Sequence, residues 1–181
     1  MKIDSAYDEI LGSLHLFPNR HWCLVQTRPR NEKWTFRTLI AERKIVYLPL
    51  LTKVAVHNRS RRETLQPMFP GYLFACLDRN ECSTVGANRC VWRVQTLSEG
   101  DEESLIRDLK IVRMCELQSS RHELVINPGL QSGDMVRIKS GAFKGQDAIV
   151  IRRVDALSVI INLNFLGRSI DIRWNADDLV Y

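Results

Sequence analysis

Four histidines, His15, His21, His57 and His122, are the first place to look for acid–base or metal chemistry, and their positions offer none. No pair stands in a His-Glu-x-x-His or other ligand spacing, so neither a metal ion nor a histidine-centred catalytic set is expected. The five cysteines, Cys23, Cys76, Cys82, Cys90 and Cys115, contain no Cys-x-x-Cys pair. That count and spacing support neither a disulfide framework nor a zinc ribbon, and point to a reducing, cytoplasmic setting. Gly141-Ala-Phe-Lys-Gly145 begins like a phosphate loop but lacks its Gly-Lys-Ser/Thr close. It is expected to be a turn between strands. No Gly-x-Ser-x-Gly elbow is present. The chemistry expected is therefore non-covalent: no enzyme, no cofactor.

Two residue sets suit binding. The first is cationic. Lys and Arg number 26 against 21 Asp and Glu, a net charge of +5. The excess is gathered in residues 28–37, 53–62, 137–144 and 152–153. Clustered cations favour a polyanionic neighbour through counterion release, whereas scattered ones merely solvate a face. Lys53, Arg59, Arg61 and Arg62 stand against the single acid Glu63. Such a tip can track phosphates while reading little sequence; a solubilising strand edge is the alternative. The second set is aromatic. In a strand over 71–77, Tyr72, Phe74 and Cys76 share one face while Leu73, Ala75 and Leu77 share the other. The aliphatic row suits a core under helices. The aromatic row would then turn outward beside Trp22 or Phe69, a protein-binding patch unless another segment covers it.

The chain that must position these sets has 181 residues, 45% hydrophobic and 26% charged, the balance of a globular protein rather than a disordered, collagenous or coiled-coil one. No apolar run approaches the roughly 20 residues that cross a bilayer, and the start lacks the apolar stretch of a secretory signal. Residues 1–20 are expected to be an extension with a short helix at 7–14. Period-two alternation predicts a strand over 21–27, stopped by Arg28-Pro29. Asn31 is the expected N-cap of a helix over 32–44 with Phe36, Leu39, Ile40 and Trp34 as its apolar side. There follow a strand over 45–51, a basic hairpin over 53–66, a strand over 71–77, a loop at 78–83 and a strand over 91–96. A helix opens at Gly100-Asp101 with a Leu105, Leu109, Val112 stripe. This order predicts an α+β sandwich, an antiparallel sheet with helices on one face. The polar, Pro- and Gly-containing stretch 118–131 reads as a linker. Short strands over 135–139, 148–153, 159–163 and 169–174 then predict a small all-β barrel over 132–181.

Three stretches carry a family resemblance: His21-Trp-Cys-Leu-Val-Gln-Thr-Arg-Pro-Arg-Asn-Glu32, then Tyr47-Leu-Pro49, then Met68-Phe-Pro-Gly-Tyr-Leu-Phe74. They resemble the NusG N-terminal domain, over 21–117. The tail Gly133-Asp-Met-Val-Arg-Ile-Lys-Ser-Gly-Ala-Phe-Lys-Gly145, with Phe165-Leu-Gly-Arg168, resembles a KOW domain. The Thr-Arg-Pro-Arg-Asn-Glu start is more similar to specialised RfaH-like or polysaccharide-operon paralogues than to the housekeeping factor. The resemblance implies a non-enzymatic transcription elongation and antitermination factor that rides on RNA polymerase at particular operons. Phe69, Tyr72 and Phe74 would meet the polymerase clamp helices, with Trp22 beneath. Arg28, Arg30, Lys53, Arg59, Arg61 and Arg62 would lie beside non-template or upstream DNA, and the loop near Ser83-Thr84 would face the opposite polymerase pincer. Phe165, Leu166 and Arg168 would recruit a ribosomal small-subunit protein or Rho. Gln26 and Gln146 stand where relatives often carry aromatics. A monomer without a membrane partner is expected. The alternative is a KOW-containing RNA- or ribosome-binding module, which has no need of the Phe69–Phe74 run.

Overall fold

The computed structural model describes residues 14–57, 60–119, 123–128, 134–138, 143–152, 157–163, 166 and 168–174. The expected helix at 7–14 lies almost wholly outside them. The chain divides into two compact units, residues 1–110 and 111–181.

In the first unit, β1 (His21–Thr27), β2 (Ile45–Tyr47), β5 (Tyr72–Leu77) and β6 (Val91–Gln95) form one sheet in the order β2-β5-β1-β6. Every pairing in it is antiparallel. β1 is the expected strand to the residue, because alternation of Trp22, Leu24 and Gln26 with Cys23, Val25 and Thr27 suits a strand with neighbours on both sides. Helix α1 (Glu32–Ala41) packs on β2 and β5. It stops three residues before the expected end: the Glu42 amide closes on the Thr38 carbonyl at 3.0 Å, and Arg43 then takes a left-handed φ of 59°. Asn31 sits at the cap position but makes no side-chain cap bond; its amide donates instead to the Pro29 carbonyl at 3.0 Å.

The expected loop at 78–83 is mostly helix α2 (Arg79–Gly86). Asp78 accepts from the Glu81 amide at 2.8 Å while Glu81 accepts from the Asp78 amide at 3.0 Å, a reciprocal cap satisfying two orphan helix donors. Glu81 is further held by Arg20 at 2.8 Å and Lys44 at 3.4 Å. Helix α3 (Glu99–Gln118) buries the expected stripe Leu105, Leu109 and Val112 completely. Near its start, Glu102 accepts from the Trp22 amide at 2.8 Å and lies 3.0 Å from His21 Nδ1. β6 pairs with β1 only from Leu24 onward, so this carboxylate takes over the ladder where the neighbouring strand is missing.

The basic stretch is a hairpin, as expected: β3 (Leu50–His57) pairs with β4 (Ser60–Pro67) down to His57 opposite Ser60. Arg59 lies outside the described residues.

The second unit carries β7 (Glu123–Pro128), β8 (Asp134–Arg137), β9 (Asp147–Arg152), β10 (Leu157–Leu163) and β11 (Arg168–Trp174). They form an antiparallel sheet in the order β7-β11-β10-β9-β8, the all-β pattern expected. One correction falls at 118–131, expected to be a linker. Glu123–Pro128 is a full strand of this sheet, with Ile126 opposite Ile170 of β11. Gly141-Ala-Phe-Lys-Gly145 does join β8 to β9, and its described residues show why. Gly145 donates to the Ile138 carbonyl at 2.7 Å from a φ of +86°, a conformation that favours glycine, and Phe143 is buried.

Candidate docking and nucleic-acid interface

One end of the four-stranded sheet gathers most of the residues singled out in the first unit. β1 and β2 end there, β5 and β6 begin there, and α1 starts there. The hairpin is rooted at the same end: Met68 donates to the Pro49 carbonyl at 2.8 Å, and Lys33 of α1 donates to the Leu65 carbonyl of β4.

At its centre is Gly71, with a φ of +84°. Its carbonyl accepts from the Thr27 amide at 2.8 Å, and its own amide donates to Glu32 Oε1 at 2.7 Å. Glu32 is only 6% exposed, so this carboxylate is kept from water and works on the backbone of a turn 39 residues away. A charge-assisted bond of this kind is worth about 1.5–3 kcal/mol. The Thr27-to-Glu32 bend and the Phe-Pro-Gly-Tyr turn are thus one constructed corner. Tyr72 donates its amide to the Phe69 carbonyl at 3.0 Å to close that turn.

The aromatic row does not lie open as expected. Phe74 is 1% exposed and Trp22 not at all, while Phe69 is buried against Phe74 edge to face, ring centres 6.1 Å apart. Leu73, Ala75 and Leu77 are buried too, so both faces of β5 are covered. Chain outside the sheet closes this second face, with Phe69 against Phe74 and the segment before β1 against Trp22. Trp22 is pinned further by its indole N–H, which donates to the His15 carbonyl at 3.1 Å. What stays accessible of the row is the half-exposed Tyr72. By register it lies level with Gln26 on β1 and Arg93 on β6, three side chains on one face across three strands.

The cations divide. Arg28 and Arg30 are exposed on the loop after β1; Arg28 donates its amide to the Cys90 carbonyl and its Nε to the Arg89 carbonyl, both at 2.9 Å. Arg30 holds a left-handed φ of 64°. Lys53 is exposed on β3, and Arg61 and Arg62 sit on β4 opposite Val56 and Ala55. Ser83 and Thr84 are exposed on α2 rather than on a loop. In the second unit Leu166 is half-exposed in the turn before β11, which Arg168 opens, while Phe165 lies outside the described residues.

Two features escaped sequence reasoning. Trp92 is 70% exposed, the most open large apolar side chain among the described residues. The β1–β6 register jumps there, Gln26 facing Arg93 but Thr27 facing Val91, so Trp92 is the extra residue of a bulge. The other is the thiol cluster: Cys23 and Cys82 sulfurs lie 3.8 Å apart, and burial pushes Cys23 upward and Cys76 up to about 12. Thiols so raised are poor nucleophiles, which argues against redox or acyl chemistry there.

A family model described as Transcription termination factor nusG matches residues 20–115, just over half of the chain. A comparison with curated proteins finds no match. Among solved structures, one titled "Domain interaction in Thermotoga maritima NusG" is 17% identical with a TM-score of 0.47, over 88% of this chain and 95% of that one. Another, titled "Crystal Structure of MjSpt4:Spt5 complex conformation A", is 16% identical with a TM-score of 0.26, over 82% and 96%.

Proposed function

Because the chain belongs to the NusG family of transcription elongation factors, we propose that it binds RNA polymerase during elongation and modulates pausing and termination at particular operons. The observation that carries this reading is the corner built by Glu32 on Gly71. It joins the two stretches on which the family resemblance rests, presents Tyr72, and roots the basic hairpin at the same end of the sheet. In this reading Tyr72 contacts the clamp helices, flanked by Gln26 and Arg93, while Phe69, Phe74 and Trp22 hold it from within the core. Arg28, Arg30, Lys53, Arg59, Arg61 and Arg62 run beside non-template or upstream DNA, giving affinity without base reading. The Thr-Arg-Pro-Arg-Asn-Glu bend supports a specialised, RfaH-like paralogue acting in antitermination. Residues 132–181 act as a KOW module whose Leu166 and Arg168 take a ribosomal protein or Rho.

The test is retention of RNA polymerase by the immobilised full chain. Tyr72→Ala should weaken retention about tenfold or more, the scale of an interface hot spot. Phe74→Ala is unsuitable, since truncating a core phenylalanine costs about 3–5 kcal/mol of stability. Retention unchanged by Tyr72→Ala would overturn the docking site, and no retention by the unaltered chain would overturn the function.

A further inference from the structure

We infer that residues 14–17 form a lid over one end of the docking face, so that the chain's own strap and the docking partner compete for the ground above Trp22. The inference rests on the reading that Tyr72 docks, and adds what holds the rest of that face shut.

Directly opposed residues of β1 and β5 share a face, here Trp22 with Cys76, Leu24 with Phe74, and Gln26 with Tyr72. Exposure is graded along it: Tyr72, Gln26 and Leu24 are half-exposed, whereas Trp22 and Cys76 at the far end are sealed. The change falls where the segment before β1 crosses. There the Trp22 indole donates to the His15 carbonyl at 3.1 Å, and Leu14 beside it is 1% exposed. The sheet thus carries one face that continues past Tyr72 and is cut short by chain lying over it.

The strap is seated shallowly and tethered firmly. It is no strand of the sheet; it doubles back through Pro18-Asn19, with Phe17 bridging to Arg20. Of its apolar side chains Leu14 is buried, but Leu16 is 47% exposed and Phe17 half-exposed, its ring stacked on His15 of the same strap, centres 4.2 Å apart. Beyond the turn, Arg20 is fixed to α2 by Glu81 at 2.8 Å. Lifting the strap forfeits chiefly the burial of one leucine and the indole bond, and a partner that covers Trp22 with apolar surface of its own makes good the larger part. The tether keeps the lid at high local concentration, so it closes again once the partner leaves.

The experiment pairs retention of RNA polymerase by the immobilised full chain with NMR hydrogen exchange of the Trp22 indole proton, identified by its loss in Trp22→Phe. A lid open about 10% of the time or less weakens apparent affinity by that fraction. Leu14→Asp and Leu14→Ser should therefore tighten retention about tenfold or more, while Leu14→Met should match the unaltered chain. Tyr72→Ala should weaken the opened and closed chains by the same factor. The indole proton should exchange faster than the β1 amides in the unaltered chain, and faster still in Leu14→Ser. Retention unchanged or weakened by both opening substitutions, loss of a cooperative melt in both, or an indole that exchanges only with global unfolding would each overturn the lid. Absence of retention from every chain would overturn the polymerase reading instead, and the indole exchange would still decide whether the strap opens.

Discussion

Glu32 shows how much one buried carboxylate can organise. It stands in the first turn of α1, where the positive end of the helix favours it, yet its recorded partner is the Gly71 amide rather than its own helix. Glu32→Ala should strand that amide and cost about 1–3 kcal/mol, read as a lower urea midpoint, while Glu32→Gln, which keeps an acceptor oxygen, should lose much less. The Gly71 amide proton shift in NMR reports the bond directly. Cys76 gives a second residue-scale prediction. Its thiol is raised by burial and by the nearby Glu102 carboxylate, from 9.0 to about 12. The folded state therefore binds a proton that the unfolded chain releases between those values. Its contribution is whole below pH 9.0 and is lost as pH climbs toward about 12, by roughly 1.4 kcal/mol per pH unit. Cys76→Ala should shallow the fall of Tm above pH 9.0; a parallel fall would refute the assignment.

At the scale of elements, the hairpin sets the clearest expectation. Charge reversal of Arg59, Arg61 and Arg62 should flatten the log–log salt dependence of duplex DNA binding by about 0.9 per lost phosphate contact, with polymerase retention largely kept. β1 and β5 were legible as short, largely apolar runs with sharp boundaries, Arg28-Pro29 after the first and Pro70-Gly71 before the second. α2 was not, because it buries only Val85 among its residues, so no apolar stripe exists to be seen. Its one local signal was Asp78 and Glu81 at cap spacing. β7 was hidden by its flanks: Leu124 and Ile126 sit between polar runs, and only pairing with β11 makes them a strand. The bulge at Trp92 was invisible in principle, since a register jump belongs to two strands and neither sequence contains it. The same holds for the Glu32–Gly71 bond. The burial of Phe74 depended on what lies over the second face of β5, which alternation alone does not state.

For the whole molecule, each described sheet draws its strands from one unit, the first from β1, β2, β5 and β6 and the last from β7 to β11. A chain ending after Ser119 is therefore expected to melt cooperatively and to keep its tyrosine-dependent polymerase retention; a non-cooperative melt would contradict this. The thiol distribution has a practical consequence across the same chain. Cys23, Cys76 and Cys115 are fully buried and raised by desolvation, whereas Cys82 and Cys90 reach the surface in part. A maleimide dye at neutral pH should therefore modify those two first, and with Cys82→Ala it should settle on Cys90, two residues from the bulge. A fluorophore installed there would turn the unmodified remainder of the protein into its own optical reporter.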